Sequence, residues 1–133
     1  MAFKLKVITP YGVFFEGEID SLNVCTTQGY LTILPNHIPL VSPLQIASMS
    51  FKTNKTTCVC SVSGGIMHVS LKETKIIANA CEYQEDIDIN RAIKAKERAE
   101  KRLANKKENI NVARAEAALK RALNRINIYN NRG

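Results

Sequence analysis

The chain has no apolar run approaching the roughly 20 residues that cross a bilayer as a helix. Its opening, MAFKLKVITP, alternates apolar and polar residues. That pattern lacks the basic segment and long apolar block of a secretory signal, and the Arg- and Ser-rich character of an import leader. The expectation is a protein that works where it is made, on the cytosolic side of any membrane. Cysteines number four, at Cys25, Cys58, Cys60 and Cys81, and no two form a C-x-x-C pair. With only two histidines to complete a ligand set, no zinc site is expected. Cys58 and Cys60 stand two apart in a strand-like run, so they share a face and do not readily bridge. All four read as reduced, buried thiols. A G-x-x-x-x-G-K-[ST] phosphate loop is also missing. No Ser-His-Asp or paired-carboxylate arrangement is legible. No catalytic residue and no metal ligand is therefore assigned.

What is present suits one compact domain, or one domain with a short appendage: 133 residues, 45% hydrophobic and 23% charged. A core is attainable at this length without disulfides or metal. The net charge of +7 is unevenly spread. Residues 1–86 carry six lysines against seven carboxylates, whereas residues 87–133 carry thirteen Lys or Arg against five carboxylates. The whole excess lies in the last third, which points to an acidic partner or polyanionic ligand for that segment.

Residues 1–86 read as strands. Phe3, Leu5 and Val7 alternate with Lys4, Lys6 and Ile8, which is period two. Pro10-Tyr11-Gly12 signals a turn. Val13–Phe15, Ile19–Val24 and Tyr30–Leu34 follow as short strands separated by Gly17 and Gly29. Beyond the Pro35–Pro43 stretch come Gln45–Lys52, Thr56–Val62, Ile66–Leu71 and Lys75–Ala80, with turns expected at Thr53-Asn54-Lys55 and Lys72-Glu73-Thr74. Many short strands, about ten, with a turn every 8–12 residues predict a flattened sandwich or barrel.

Residues 87–133 change period. They are rich in Ala, Lys, Arg, Glu and Leu, which favour helix. Asp86 or Asp88 is placed to cap a first helix, on which Ala92, Ala95, Ala99 and Leu103 form a stripe. The stretch Asn105–Asn111 breaks the pattern. Asn111 then caps a second helix with a stripe of Val112, Ala115, Leu119, Ala122, Leu123 and Ile126. Glu97 with Lys101 and Glu116 with Lys120 have the favourable i,i+4 polarity. A short polar link between two helices predicts an antiparallel hairpin. Its alanine-dominated stripes bury little apolar area, so the hairpin is expected to open at modest cost.

A β-sandwich over residues 1–86 followed by a basic, Ala-rich hairpin over residues 87–133 resembles the epsilon-subunit family of bacterial and chloroplast F-type ATP synthases. The segment Gly29-Tyr30-Leu31-Thr32-Ile33-Leu34-Pro35-Asn36-His37-Ile38-Pro39-Leu40 carries the resemblance, with Ser63-Gly64-Gly65-Ile66, the opening Val7-Ile8-Thr9-Pro10 and the stretch Ile87-Asp88-Ile89-Asn90-Arg91-Ala92. Each also has a plain structural role. Leu34-Pro35-Asn36-His37 suits a turn in which His37 is a hydrogen-bonded member rather than a base. Gly64-Gly65 suits a bulge or a close backbone approach.

The resemblance implies a non-catalytic rotor subunit. Its sandwich would bind the gamma subunit and the membrane rotor ring. Its extended hairpin would reach the catalytic alpha and beta subunits and block ATP hydrolysis, at the cytoplasmic face of a bacterial membrane or the stromal face of a thylakoid. In some bacillus-type members the hairpin binds ATP without hydrolysing it. Carried over residue by residue, that motif falls on Glu82, Asp88, Arg91, Arg98, Arg121 and Arg125. No cofactor is required, ATP is the expected regulatory ligand, and Mg²⁺ is not specified. Arg91 and Arg98 lie within about 20° of one helical face, and Arg121 and Arg125 lie one turn apart. In an antiparallel pair both sets converge, and arginine's planar fork suits phosphate oxygens. Two alternatives stand beside this. One is a nucleic-acid-binding module using the basic tail, which has Tyr129 as its one aromatic. The other is a ligand-binding sandwich enzyme, for which catalytic residues are wanting.

Overall fold

The computed structural model describes residues 2–105 and 111–131. The chain divides into two compact units, Met1–Tyr83 and Gln84–Gly133.

In the first unit the alternation of Leu5 and Val7 with lysines yields β1 (Phe3–Thr9), with the apolar residues wholly buried. Seven more strands follow: β2 (Gly12–Ile19), β3 (Ser21–Thr26), β4 (Gly29–Ile33), β5 (Leu40–Thr53), β6 (Thr56–Val69), β7 (Glu73–Ala78) and β8 (Cys81–Tyr83). They form one sheet in the order β2-β1-β7-β6-β5-β3-β4, with β8 also paired to β6. All pairs are antiparallel except β1 with β7. Phe15 of β2 meets Phe51 of β5 at 4.5 Å between ring centroids, although three strands separate them in the sheet. Phe14 stacks on Tyr83 of β8 at 4.4 Å. The sheet therefore folds over on itself. Leu5, Leu22, Ile33, Met49, Met67 and Ile76, drawn from six strands, share the enclosed core.

The described residues form eight strands rather than about ten, and the difference has a physical source. The expected Thr56–Val62 and Ile66–Leu71 are one strand, because Gly64 (φ 88°) and Gly65 (φ 154°) bend β6 without ending it. Likewise β5 begins at Leu40, inside the proline-bounded stretch read as a connection, and passes through Pro43. Ile19–Val24 divides at Asp20, whose N–H donates to the Lys52 carbonyl at 2.7 Å. The second expected turn is shifted: Ser70 N–H donates to the Glu73 carbonyl, and β7 starts at Glu73. Asn54 takes φ 51° in the β5–β6 turn, a conformation asparagine tolerates well.

None of the four cysteines is in a disulfide, and only Cys60 is fully buried; the others are half-buried. Desolvation pushes the Cys81 thiol up to about 11 from an ordinary 9.0. The folded state thus holds that proton more tightly than the unfolded one. Its contribution is complete below pH 9.0 and is lost as pH rises toward about 11. Denaturant midpoints are expected to fall over that window in the native chain and to fall less in Cys81→Ala. Equal falls would remove Cys81 as the cause.

In the second unit a single 3₁₀ turn (Gln84–Asp86) leads into α1 (Ile89–Ala104), and α2 (Val112–Asn130) packs against α1. Asp88 is the first cap: its carboxylate accepts from the Arg91 N–H at 3.1 Å. Asn111 caps α2 in the same way, accepting from the Arg114 N–H at 3.1 Å. Replacing Asn111 by alanine is expected to cost about 1 kcal/mol, read as a lower thermal midpoint for the helical signal; no change would deny the cap its role. The Asn105–Asn111 break lies, for residues 106–110, outside the described residues. Neither Glu97–Lys101 nor Glu116–Lys120 closes into an ion pair. Ion pairs in the sheet unit include Glu16 with Lys4 and Lys6, and Glu73 with Lys75. On exposed helix faces, holding two long side chains together gains little.

Candidate functional site

Two tie points set the register of the hairpin. At its open end the Gln84 side-chain amide donates to the Ile128 carbonyl at 2.8 Å, bringing the end of α2 back to the start of α1. At its closed end only the residues between Ala104 and Val112 connect the helices. The helices therefore run antiparallel. Counting from either end, Arg91 lies level with the Arg121–Arg125 turn, and Arg98 and Arg102 lie level with Arg114.

The lateral arrangement follows from which residues are buried. Ala92 and Ala99 on α1, and Ala115 and Ala122 on α2, are each 1–4% exposed. Within each helix the two alanines are seven residues apart, which places them within about 20° of one line. Side chains this small let two helices approach closely, so the alanines mark the seam. Arg91, Arg98, Arg114 and Arg121 each stand one residue before a seam alanine, while Arg102 and Arg125 stand three after one. Either offset turns a side chain about 60–100° to the same flank. Reversing one helix to face the other keeps that flank on the same side of the pair. These six arginines thus share one side of the hairpin.

The opposite flank is apolar, with Ile93, Val112 and Leu123 between 38% and 46% exposed. Lys94, Lys96, Lys101 and Lys120 lie off the arginine side. The two cations are sorted, and arginine alone has the planar fork that matches phosphate. Arg91, Arg98, Arg102 and Arg114 are exposed, Arg121 and Arg125 half-buried. Arg91, Arg98, Arg102, Arg114 and Arg121 have no carboxylate partner among the described residues. Like charges at ~8 Å repel by about 0.5 kcal/mol per pair even in water. An anion bound there would relieve that cost.

Of the sequence-assigned residues, Asp88, Arg91, Arg98, Arg121 and Arg125 belong to the second unit, with Asp88 at the level of Arg125. Glu82 belongs to the first unit, on β8 opposite Ser61 of β6, and is half-buried. Arg102 and Arg114 were not assigned from the sequence. The dipeptide Arg-Ala, recurring at 91, 98, 114 and 121, signals the seam flank for Arg114, whereas Arg102 precedes Leu103 and lies outside that pattern.

The glycine and turn positions have structural roles. Leu34 accepts from the His37 N–H at 3.2 Å, Asn36 takes φ 66°, and the His37 ring Nδ1 donates to the Ile38 carbonyl at 2.8 Å. Pro35 is the second residue of that turn, Pro39 follows it, and Gly29 (φ 112°) begins β4. Gly65 lies against the β7 backbone at Ile77 and Ala78. Among the described residues no group of three His, Cys, Asp or Glu is arranged to hold a metal, and no helix is long and apolar enough to cross a membrane.

Residues 2–84 match the family described as "ATP synthase, Delta/Epsilon chain, beta-sandwich domain", and residues 85–130 match "ATP synthase, Delta/Epsilon chain, long alpha-helix domain". The ATP synthase epsilon chain of Halalkalibacterium halodurans is 46% identical over 125 residues, covering 93% of this chain and 94% of that one. That of Bacillus licheniformis is 42% identical over 125 residues, covering 94% and 95%. Among solved structures, a chain of the Euglena gracilis mitochondrial ATP synthase (OSCP/F1/c-ring) superposes with a TM-score of 0.80 at 19% identity, covering 92% of this chain and 78% of that one. At that identity the likeness speaks to fold.

Proposed function

The chain belongs to the epsilon-chain family of ATP synthase, and from that premise we propose that it is a non-catalytic rotor subunit whose helical hairpin senses ATP and restrains ATP hydrolysis. The observation that carries the regulatory half is the arginine side. Two helices, far apart in sequence at this end, bring Arg91, Arg121 and Arg125 to one level, with Arg98 further along and Asp88 at the rim. Forked cations suit the phosphates, and a carboxylate suits a donor on the base or ribose.

The coupling half rests on the sheet unit. It exposes Tyr11, Ile38, Val41 and Leu71 at 61–95%, apolar surface of the kind that partners cover. Those partners would be the gamma subunit and the membrane rotor ring, at the cytoplasmic face of a bacterial membrane; a stromal location on a thylakoid is the alternative setting. The hairpin has two positions in this proposal. Retracted and holding ATP, it permits turnover. Extended toward the alpha and beta subunits, it places its basic residues against acidic segments and stops hydrolysis. ATP stabilises the state that binds it better, and only by that difference in affinity.

Deleting residues 87–133 tests this in the reconstituted complex. The truncated subunit is expected to assemble while ATP hydrolysis rises several-fold, to the uninhibited rate. Full inhibition without the hairpin would contradict the proposal.

A further inference from the structure

The arginine side is longer than the nucleotide motif uses. Arg91, Arg121 and Arg125 make one group near the open end of the hairpin. Arg98, Arg102 and Arg114 make another toward the closed end, and neither Arg102 nor Arg114 belongs to the motif. The groups are about seven residues apart along the axis, or roughly 10 Å at ~1.5 Å per residue. Between them, on the same flank, lie Ala95 and Ala118, both half-buried and too short to block a ligand lying along the helices. Asp88 is confined to the far rim, and Glu97, Glu100 and Glu116 point off this side by the same helical count. None of Arg98, Arg102 and Arg114 has a carboxylate partner among the described residues.

We propose that Arg98, Arg102 and Arg114 form a second phosphate-binding station, so that the hairpin takes a condensed inorganic phosphate chain longer than that of a nucleoside triphosphate. The chain lies along the seam from one arginine group to the other, over Ala95 and Ala118. Guanidinium forks hold its oxygens bidentately, which explains why this side carries arginine while the lysines lie elsewhere. The proposal builds on the same side of the hairpin as the ATP reading but does not require ATP to bind.

The test is titration calorimetry of the full chain with inorganic tripolyphosphate, with a long-chain polyphosphate and, separately, with ATP. The long chain is expected to bind at least about tenfold more tightly per chain than tripolyphosphate, and with a steeper salt dependence because more charges are neutralised. Arg102→Gln with Arg114→Gln is expected to lower long-chain affinity by roughly tenfold while tripolyphosphate affinity changes less than about twofold. Arg102→Lys with Arg114→Lys, which keeps the charge and loses the fork, is expected to restore only part of that loss. Lys94→Gln with Lys101→Gln removes the same charge from elsewhere on the helix and is the control. Equal loss in the lysine control would mean diffuse attraction to a basic helix and would overturn the proposal. So would equal affinities for the short and long chains. Long-chain binding with no ATP binding would uphold this station and defeat the nucleotide reading. The reverse result would do the opposite.

Discussion

Replacing Arg91 and Arg125 together by alanine is expected to abolish ATP binding to the isolated chain. The two sit level across the hairpin, one near the start of α1 and one near the end of α2. A ligand held by both therefore bridges the helices. A hydrogen bond to a charged group is worth about 1.5–3 kcal/mol, so losing both forks should weaken binding by at least about a hundredfold. Lysine at the same positions keeps the charge but not the bidentate geometry, and is expected to recover only part of the affinity. Calorimetry on the folded variants decides it: unchanged affinity would remove these residues from the site. The Asp88 carboxylate is a poorer probe. It also accepts the Arg91 N–H at the helix start, so its loss would weaken helix and ligand together.

The second large effect concerns the sheet. A side chain at Gly65 would put Cβ on top of the Ile77 carbonyl oxygen and 2.8 Å from Ala78 Cα, both backbone atoms that cannot swing away. The φ of 154° adds strain for any L-residue. Gly65→Val is expected to cost more than about 3 kcal/mol, enough to unfold a large share of a chain of ordinary stability. Gly29 supplies the contrast. Its φ of 112° also disfavours side chains, but a Cβ there meets nothing within 4 Å. Gly29→Ala should therefore cost about 1–2 kcal/mol. Denaturant titration of the two variants separates them. A Gly65→Val protein within about 1 kcal/mol of the native chain would mean that β6 and β7 can part at this point.

The sheet and the helices differ in how much the residues alone disclose. Period-two alternation located β1, and short apolar runs between turn residues located β4 and most of β7, because one face of each is buried. It failed at Gly64-Gly65, where missing side chains read as an ending although the backbone pairing continues from Thr56 to Val69. It failed again at Cys81–Tyr83, a strand too short to show a period and held by pairing with Cys60–Val62. Long-range pairing of that kind is set by partners distant in sequence. The second helix was legible to its cap, Asn111, and the first to a choice between Asp86 and Asp88, of which Asp88 is the cap, since capping is local chemistry. Five of the six nucleotide-motif residues fall in the hairpin unit, while the place of Arg102 and Arg114 on the same flank became definable once burial identified the alanine seam.

That seam also bears on movement. Four of the buried residues on α1 and α2 are alanines. At about 25 cal/mol per Å² such contacts stabilise a hairpin far less than leucines would. A ligand bridging both helices is well placed to add to that stability.

Amide hydrogen exchange of the isolated chain, with and without ATP, tests this most directly. A weakly held, ATP-sensing hairpin should exchange quickly across Ile89–Ala104 and Val112–Asn130 without nucleotide and become strongly protected when ATP is added, while the sheet unit changes little. High protection of both helices, the same with ATP as without it, would contradict the proposed switch.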